Sequence, residues 1–349
     1  MSSTTSNITK GYLTLANGTT FEGQLFGKKQ DVTGQLVFTT GMTGYLETAT
    51  NPSTFGQVVV QTFPLSGNYG AITSDCENLK QCNNFIGANA FIAKYPCQEP
   101  SNFRSEASLD TFFMERGITG LSGIDTRQLT KIIREAGEMA CKITTAPPAD
   151  NNINLPEQTL PEQATQVYGS GKYTIALLNL GAKQSTVNAL VKRNCTVHVL
   201  PRSTSAEAIL KLNPHGLLIS SGPGNPNQMA DIVQTIQALK AIPTFAIGLG
   251  HQLLALANGH SVTALKVGHR GTNQPVKDMA TGKLYITHQH HGYVVQAPNP
   301  AFVNVNDGTC EGLVYENATS VQFYPCSGPK DTLFLYDRFV ERIAENATR

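Results

Sequence analysis

The residues with the clearest chemical potential lie where apolar runs end. Ala246-Ile-Gly248-Leu-Gly250-His251-Gln252 joins a buried-type strand to a helical segment. A sharp turn of this kind is the layout of a nucleophile elbow, G-x-[nucleophile]-x-G, which lifts a reactive side chain above a sheet beside a helix N-terminus. A second glycine-rich turn, Ser220-Ser-Gly222-Pro-Gly224-Asn-Pro226, also follows an apolar run. Alone it is a weak phosphate-loop signal, because no Lys-Ser/Thr follows it. A third segment, His288-Gln-His290-His291-Gly292, reads as a polar loop at a strand end. Extended, it would place His288 and His290 on one face as a two-ligand start for zinc. No third ligand stands at a metal-like spacing, and no metal is expected. Asp125-Thr-Arg127 reads as a helix cap with a structural arginine, with a catalytic pair as the lesser alternative.

These segments need a scaffold, and the rhythm of the chain after about residue 172 supplies one. Tyr173–Leu178, Thr196–Leu200, Gly216–Ser220 and Pro243–Ile247 are apolar runs of strand length. Helical stretches at Ser185–Lys192, Ser205–Leu212, Met229–Leu239 and Gln252–Ala257 alternate with them. Continuous apolar strands separated by amphipathic helices predict a mostly parallel sheet flanked by helices, with sites at the carboxyl ends of its strands. Residues 10–70 instead read as short strands with turn signals such as Ala16-Asn-Gly-Thr. A helix follows from Asp125, its N-cap, to Gly137, its stop, with Leu129, Ile132 and Ile133 on one face. Between these regions, Ala146-Pro-Pro and Leu160-Pro-Glu-Gln mark a polar, proline-dotted run. The expectation is therefore an α/β protein in three parts: a β-rich mixed amino-terminal domain over 1–145, a linker over 146–172, and an α/β domain over 173–349.

Composition narrows the function classes. At 349 residues, with 26 Lys+Arg against 25 Asp+Glu, the chain carries a net charge of +1, so neither a nucleic-acid surface nor a strong field for an acidic partner is expected. No apolar run reaches the ~20 residues of a membrane helix, and the polar start lacks a signal-peptide pattern; no membrane partner and a cytoplasmic location are expected. The 7 cysteines are scattered without a C-x-x-C pair, which argues against a zinc ribbon or a disulfide scaffold.

The strand-end segments and their flanks carry a resemblance. Ser220 to Pro226, Leu249-Gly-His-Gln-Leu-Leu-Ala-Leu-Ala, Gly268-His-Arg-Gly-Thr-Asn-Gln-Pro-Val-Lys-Asp and Ser320-Val-Gln-Phe look like class I (triad-type) glutamine amidotransferases. Val37-Phe-Thr-Thr-Gly-Met-Thr-Gly-Tyr, Asn51-Pro-Ser, Gly67-Asn-Tyr-Gly and Gly123-Ile-Asp-Thr-Arg resemble the amino-terminal domain of one member group, the small subunits of carbamoyl phosphate synthetase. The resemblance covers about residues 10–340. It implies a class I amidotransferase-like carboxyl-terminal domain, a large-subunit partner, no cofactor, and ammonia destined for carbamoyl phosphate in arginine or pyrimidine synthesis. In this family a Cys at the elbow attacks the glutamine carboxamide, a His acts as base, and a Glu two residues later orients the His. By the same resemblance His251 belongs to the helix start and is structural.

The catalytic positions depart from that pattern. The elbow position is Gly248, and the family's Gln-Tyr-His-Pro-Glu reads Gln322-Phe-Tyr324-Pro325-Cys326, so Tyr324 replaces the base and Cys326 its orienting partner. Glutamine-contact positions are better kept: Ser53, Gly222, Gly224, Leu249, Gln252 and Gly292 match, Tyr293 replaces a Phe, and His290 stands where an Asn is usual. Cys326 as a relocated nucleophile, with His290 or His291 as base, is weighed against a small inert loop cysteine, and the inert reading is preferred. The expectation is a small subunit without glutaminase activity that acts as a structural or regulatory partner of an ammonia-using large subunit. Two alternatives stand beside it: a module that binds glutamine or a similar amino acid, and a conventional glutamine-hydrolysing small subunit.

Overall fold

A computed structural model describes residues 9–80, 85–148, 152–155, 158 and 160–347. Cys82 and parts of the proline-dotted run lie outside the described residues. The chain divides into two compact units, Met1–Cys76 with Gly87–Gln158, and Glu77–Ile86 with Thr159–Arg349.

In the first unit, strands Lys10–Leu15, Thr20–Gly27, Thr119–Ser122, Ala90–Ala93, Gln57–Gln61, Val32–Thr39 and Met139–Thr144 close into a barrel in that order. Closure leaves no unpaired edge, and the inward side chains Leu13, Leu15, Leu36, Val58, Val60, Ile92, Leu121 and Ile143 fill the interior. The Thr126–Ala136 helix packs Leu129 and Ile133 into this core. Asp125 caps it by accepting from the Gln128 amide at 2.9 Å, as its sequence predicts.

The second unit is built on a ten-stranded sheet. Its centre is parallel, in the order Cys195–Pro201, Tyr173–Asn179, Gly216–Ile219, Thr244–Ile247 and Ala318–Val321. Beyond Ala318–Val321 an antiparallel arm continues through Cys310–Val314, Leu284–Gln296, Ser261–Asp278 and Phe302–Asn304. Helices cover both faces of the parallel centre, with Val187, Leu190, Tyr336 and Phe339 in one core and Ile209, Ile232, Ile236 and Leu253 in the other. The proline-dotted run is not featureless: Gln166–Tyr168 pairs antiparallel with Cys195–Pro201 at the edge of this sheet. Three residues are too few to show a period of two, so the strand has no sequence signature. Among the described residues, no helix is long and apolar enough to cross a membrane.

Candidate active site

Thr244–Ile247 is wholly buried and stops at Gly248, where the chain turns into the Leu249–Ala257 helix. Gly248 holds φ 59° and ψ −115°, a backbone state that L side chains rarely adopt and glycine accepts freely. Its N–H donates to the Val321 carbonyl at 2.9 Å. A Cβ at Gly250 would lie 2.3 Å from the Ile219 carbonyl oxygen, so only glycine lets the new helix ride this close to the neighbouring strand. The elbow is thus present as backbone. A Cβ added at Gly248 would stand 3.1 Å from Ser221 Cβ and 3.6 Å from Tyr324 Cε1, which fixes what surrounds the reactive position.

The Ser220–Pro226 turn approaches the elbow from one side. The Gly250 N–H donates to the Ser220 carbonyl at 3.1 Å, and the Ser220 hydroxyl accepts from the Leu180 N–H at 2.9 Å. Gly222 is crowded by the Leu180 carbonyl, where a side chain has no room, and Gly224 takes φ 102°.

From the other side comes the histidine-rich segment. The reading of 288–292 as a loop is corrected: these residues lie inside the Leu284–Gln296 strand, paired antiparallel with Ser261–Asp278. The polar run looked like a loop because buried strands are usually apolar. Here Thr287 to His291 are all buried, and ladder pairing with the side-chain hydrogen bonds of Thr287, Gln289 and His291 offsets much of the cost, while His288 Nδ1 makes none. Gln252, fully enclosed in the elbow helix, donates to the Tyr293 carbonyl and to Gln322 Oε1, both at 3.0 Å. The Tyr324 hydroxyl donates to the His290 carbonyl at 3.3 Å, and its ring meets the His288 ring edge to face at 5.3 Å.

The structure therefore brings Gly248, Leu249, Gln252, Tyr293 and Tyr324 to the start of one helix; the turn that carries Gly222 and Gly224 is bonded to it through Ser220, and the strand that carries His290 and Gly292 through the Tyr293 and His290 carbonyls. Cys326 is turned elsewhere, its thiol among the Ser185, Thr186 and Tyr336 hydroxyls at 3.3–3.5 Å. No imidazole is among these hydrogen-bond partners. Ser53 belongs to the first unit, where its buried hydroxyl makes no hydrogen bond. His251 is enclosed and bonded to Ser320 at 2.8 Å, and burial pushes its imidazole down to about 3.

Sequence reasoning passed over the network beneath Tyr324. The fully enclosed Lys183 ammonium contacts Glu77 Oε1 at 3.1 Å and Ser327 Oγ at 2.6 Å, and lies 4.5 Å from the centre of the Tyr324 ring. Burial is the strongest influence on this ammonium and opposes its charge. The Glu77 carboxylate and the neighbouring Tyr324 and Cys326 together outweigh burial and hold the group above the usual lysine value. An isolated Lys and a distant Glu carry no motif, so nothing in the sequence marked them.

Chemically, the arrangement has an elbow, a glycine turn and a helix N-terminus, but neither a thiol at position 248 nor an imidazole at 324. A phenol whose hydroxyl donates to a carbonyl does not substitute for an imidazole base.

Burial drives His288 and His290, like His251, well below the ordinary imidazole value. Such groups take protons in the unfolded chain below pH ~6.5 but not in the fold, so stability falls as pH drops from there. The His291 shift has the same sign. His269 is raised, since Glu311 and Asp307 outweigh its burial, and offsets His291. Three uncompensated imidazoles would remove at most about 4 kcal/mol over the first pH unit below 6.5. Urea midpoints should drop steeply between pH 6.5 and 5.5; a flat profile would contradict this account.

Comparison with known proteins agrees with the two-part chain. The model for the carbamoyl-phosphate synthase small chain, CPSase domain, matches residues 13–143, and that for class I glutamine amidotransferases matches 176–342. A carbamoyl phosphate synthase small chain from Listeria innocua is 39% identical over 96% of this chain and 97% of its own. The chain belongs to the carbamoyl phosphate synthase small-chain family. A pyrimidine-specific small chain of that enzyme from Halalkalibacterium halodurans is 40% identical over 97% of this chain and 99% of its own. A small chain from Clostridium perfringens is 39% identical over 95% and 99%. The elbow, the Ser220–Pro226 turn and the Leu284–Gln296 strand all lie within the span matched to class I glutamine amidotransferases.

Proposed function

We propose that this chain is a carbamoyl phosphate synthase small subunit that does not hydrolyse glutamine and serves as the structural partner of an ammonia-using large subunit. One observation carries the reading: the elbow backbone at Gly248 bears no nucleophile, and the group beside it, Tyr324, is a phenol bonded to a carbonyl. The chain retains both compact units, each matching a family model of the small chain, which supports a retained docking role. Gln252 is bonded to the Tyr293 carbonyl, and the turn that carries Gly222 and Gly224 is bonded to the elbow helix through Ser220, which supports glutamine or a similar amino acid as a candidate ligand reporting occupancy to the partner.

The conventional reading, a glutamine-hydrolysing small subunit, is favoured by the names of relatives about 40% identical over nearly the whole chain. It requires a nucleophile other than residue 248. Carbamoyl phosphate formation by the cognate large subunit separates the two. With ammonium, this chain should raise the rate over the large subunit alone, and glutamine should give no product. Product from glutamine would establish the conventional reading. No effect with either nitrogen source would remove the scaffold role.

A further inference from the structure

The antiparallel arm carries a cluster that the amidotransferase-type site does not use. His269 on Ser261–Asp278, His291 on Leu284–Gln296 and Glu311 on Cys310–Val314 each bring one ligand-type atom within 4.8 Å of the other two. His269 and His291 are direct partners across the strand pair, their rings 5.0 Å apart and nearly perpendicular. The zinc pair considered from sequence, His288 and His290, faces the other side of the strand. The third ligand was invisible because it comes from strands far apart in the chain.

The geometry of its ligand atoms and their partners is what makes this cluster more than a hydrogen-bonded network. His291 Nδ1 lies 2.8 Å from the Tyr293 carbonyl. A carbonyl only accepts, so Nδ1 carries the proton, and in that neutral tautomer Nε2 is the ring's available ligand atom. Nε2 lies 3.1 Å from Gln289 Oε1, and the Gln289 amide nitrogen donates to Thr287 Oγ1 at 3.1 Å. His269 Nε2 lies 2.8 Å from Asp307 Oδ2; its Nδ1 lies 3.5 Å from Glu311 Oε1 and 3.4 Å from the Asn304 amide nitrogen, which also donates to Glu311 Oε1 at 2.9 Å. Glu311 is completely enclosed, and its Oε2 makes no hydrogen bond although the Gln289 amide is nearby. Three ligand-type side chains thus converge in a largely buried place, with one carboxylate oxygen left without a donor, which is the condition a cation relieves.

The partners on the far nitrogens fit the same conclusion. Metal-bound histidines donate their other N–H to a carboxylate or a backbone carbonyl, which fixes tautomer and ring orientation. Here Asp307 does this for His269, and the Tyr293 carbonyl does it for His291. The His269 and Asp307 side chains are 14% and 39% exposed, so the cluster has an entry path. We propose that His269, His291 and Glu311 bind a divalent cation of the zinc class, with Asp307 and the Tyr293 carbonyl as positioning groups. Two imidazoles and a carboxylate leave a fourth, water-filled position. Bonds of ~2.1 Å place tetrahedral ligand atoms about 3.4 Å apart, so the side chains draw inward on binding. Because Gln252 also bonds the Tyr293 carbonyl, the cation would stiffen the strand that borders the elbow helix.

The full-length chain, stripped with a chelator, is titrated with zinc by calorimetry, and with cobalt followed by its absorption spectrum. One equivalent should bind, the cobalt form should lack a sulfur-to-metal charge-transfer band, and zinc should raise the melting temperature. Glu311→Gln should lose more than about 100-fold in affinity, and Asp307→Asn, on the solvent side, about 10- to 100-fold. Asp307→Asn keeps the test decisive if circular dichroism shows that Glu311→Gln does not fold. Absence of stoichiometric zinc, a thiolate band in the cobalt spectrum, or unchanged affinity in Asp307→Asn would each overturn the proposal.

Discussion

Given millimolar glutamine, the isolated chain should release glutamate at a rate on the order of 10⁶-fold below that of a hydrolase with its nucleophile in place. The loss follows from two separate positions. At Gly248 there is no atom to form the acyl intermediate, and at Tyr324 there is no imidazole to take a proton. Because nucleophile and base act as a unit, Gly248→Cys alone should leave glutamate release within about tenfold of the parent. That substitution also meets resistance from the backbone. Its Cβ would sit 3.1 Å from Ser221 Cβ at φ 59°, strain of about 1–3 kcal/mol that the parent avoids. Tyr324→His must accompany it, and Cys326 cannot orient the new ring while its thiol is held by Ser185, Thr186 and Tyr336. A coupled glutamate assay of the parent, Gly248→Cys, Gly248→Cys with Tyr324→His, and Cys326→Ala gives the answer. Turnover by the parent near the 1 s⁻¹ or more of ordinary enzymes would sink the prediction, and its loss in Cys326→Ala would identify the missed nucleophile.

Some of this architecture was open to reading because it rests on local rules. Asp125 and Gly137 bracket the Thr126–Ala136 helix as cap and stop, and the apolar runs at Tyr173, Gly216 and Pro243 become parallel strands. The turn at Gly248 was legible for the same reason, a strand, a glycine and a helix in immediate succession. What escaped depends on long-range pairing. His288–His291 is buried on both faces, so alternation, the signal for a half-exposed strand, is missing. The barrel needs Lys10–Leu15 to pair with Met139–Thr144, a closure that no short window reveals. Glu77 sits in a polar stretch of the amino-terminal half, yet it groups with the second unit and completes the Lys183 network. Buried ionic pairs assembled from distant segments have no periodicity to betray them.

That network supports the other large prediction: removing the charge on either Lys183 or Glu77 should destabilise the second unit by about 3–5 kcal/mol. Lys183 is 0% exposed, and the Glu77 carboxylate is shared among four donors. Oε1 accepts from Lys183 and Ser327, and Oε2 from the Ser185 backbone N–H at 3.1 Å and its hydroxyl at 2.7 Å. Ser185 is in the first turn of the Gln184–Val191 helix, whose N-cap residue, Lys183, gives no side-chain cap. Glu77 therefore caps that helix from outside and adds a favourable charge at its N-terminus. Glu77→Gln keeps the shape but leaves a buried ammonium without a counter-ion. Such a lysine has its pKa depressed in the fold, so the variant should recover stability as pH rises toward 10 and lose it on acidification. Lys183→Met instead leaves an uncompensated carboxylate, and its deficit should shrink only where that carboxylate can take up a proton. The double variant should be less damaged than the sum of the singles, with a coupling energy of about 0.5–3 kcal/mol, because neither partner is left alone. Urea unfolding of all four proteins at pH 7.5 and 9.5 tests each step. A Lys183→Met loss below about 1 kcal/mol would mean that the pair is solvated in solution, and would remove the network as a cause of the fold around Tyr324.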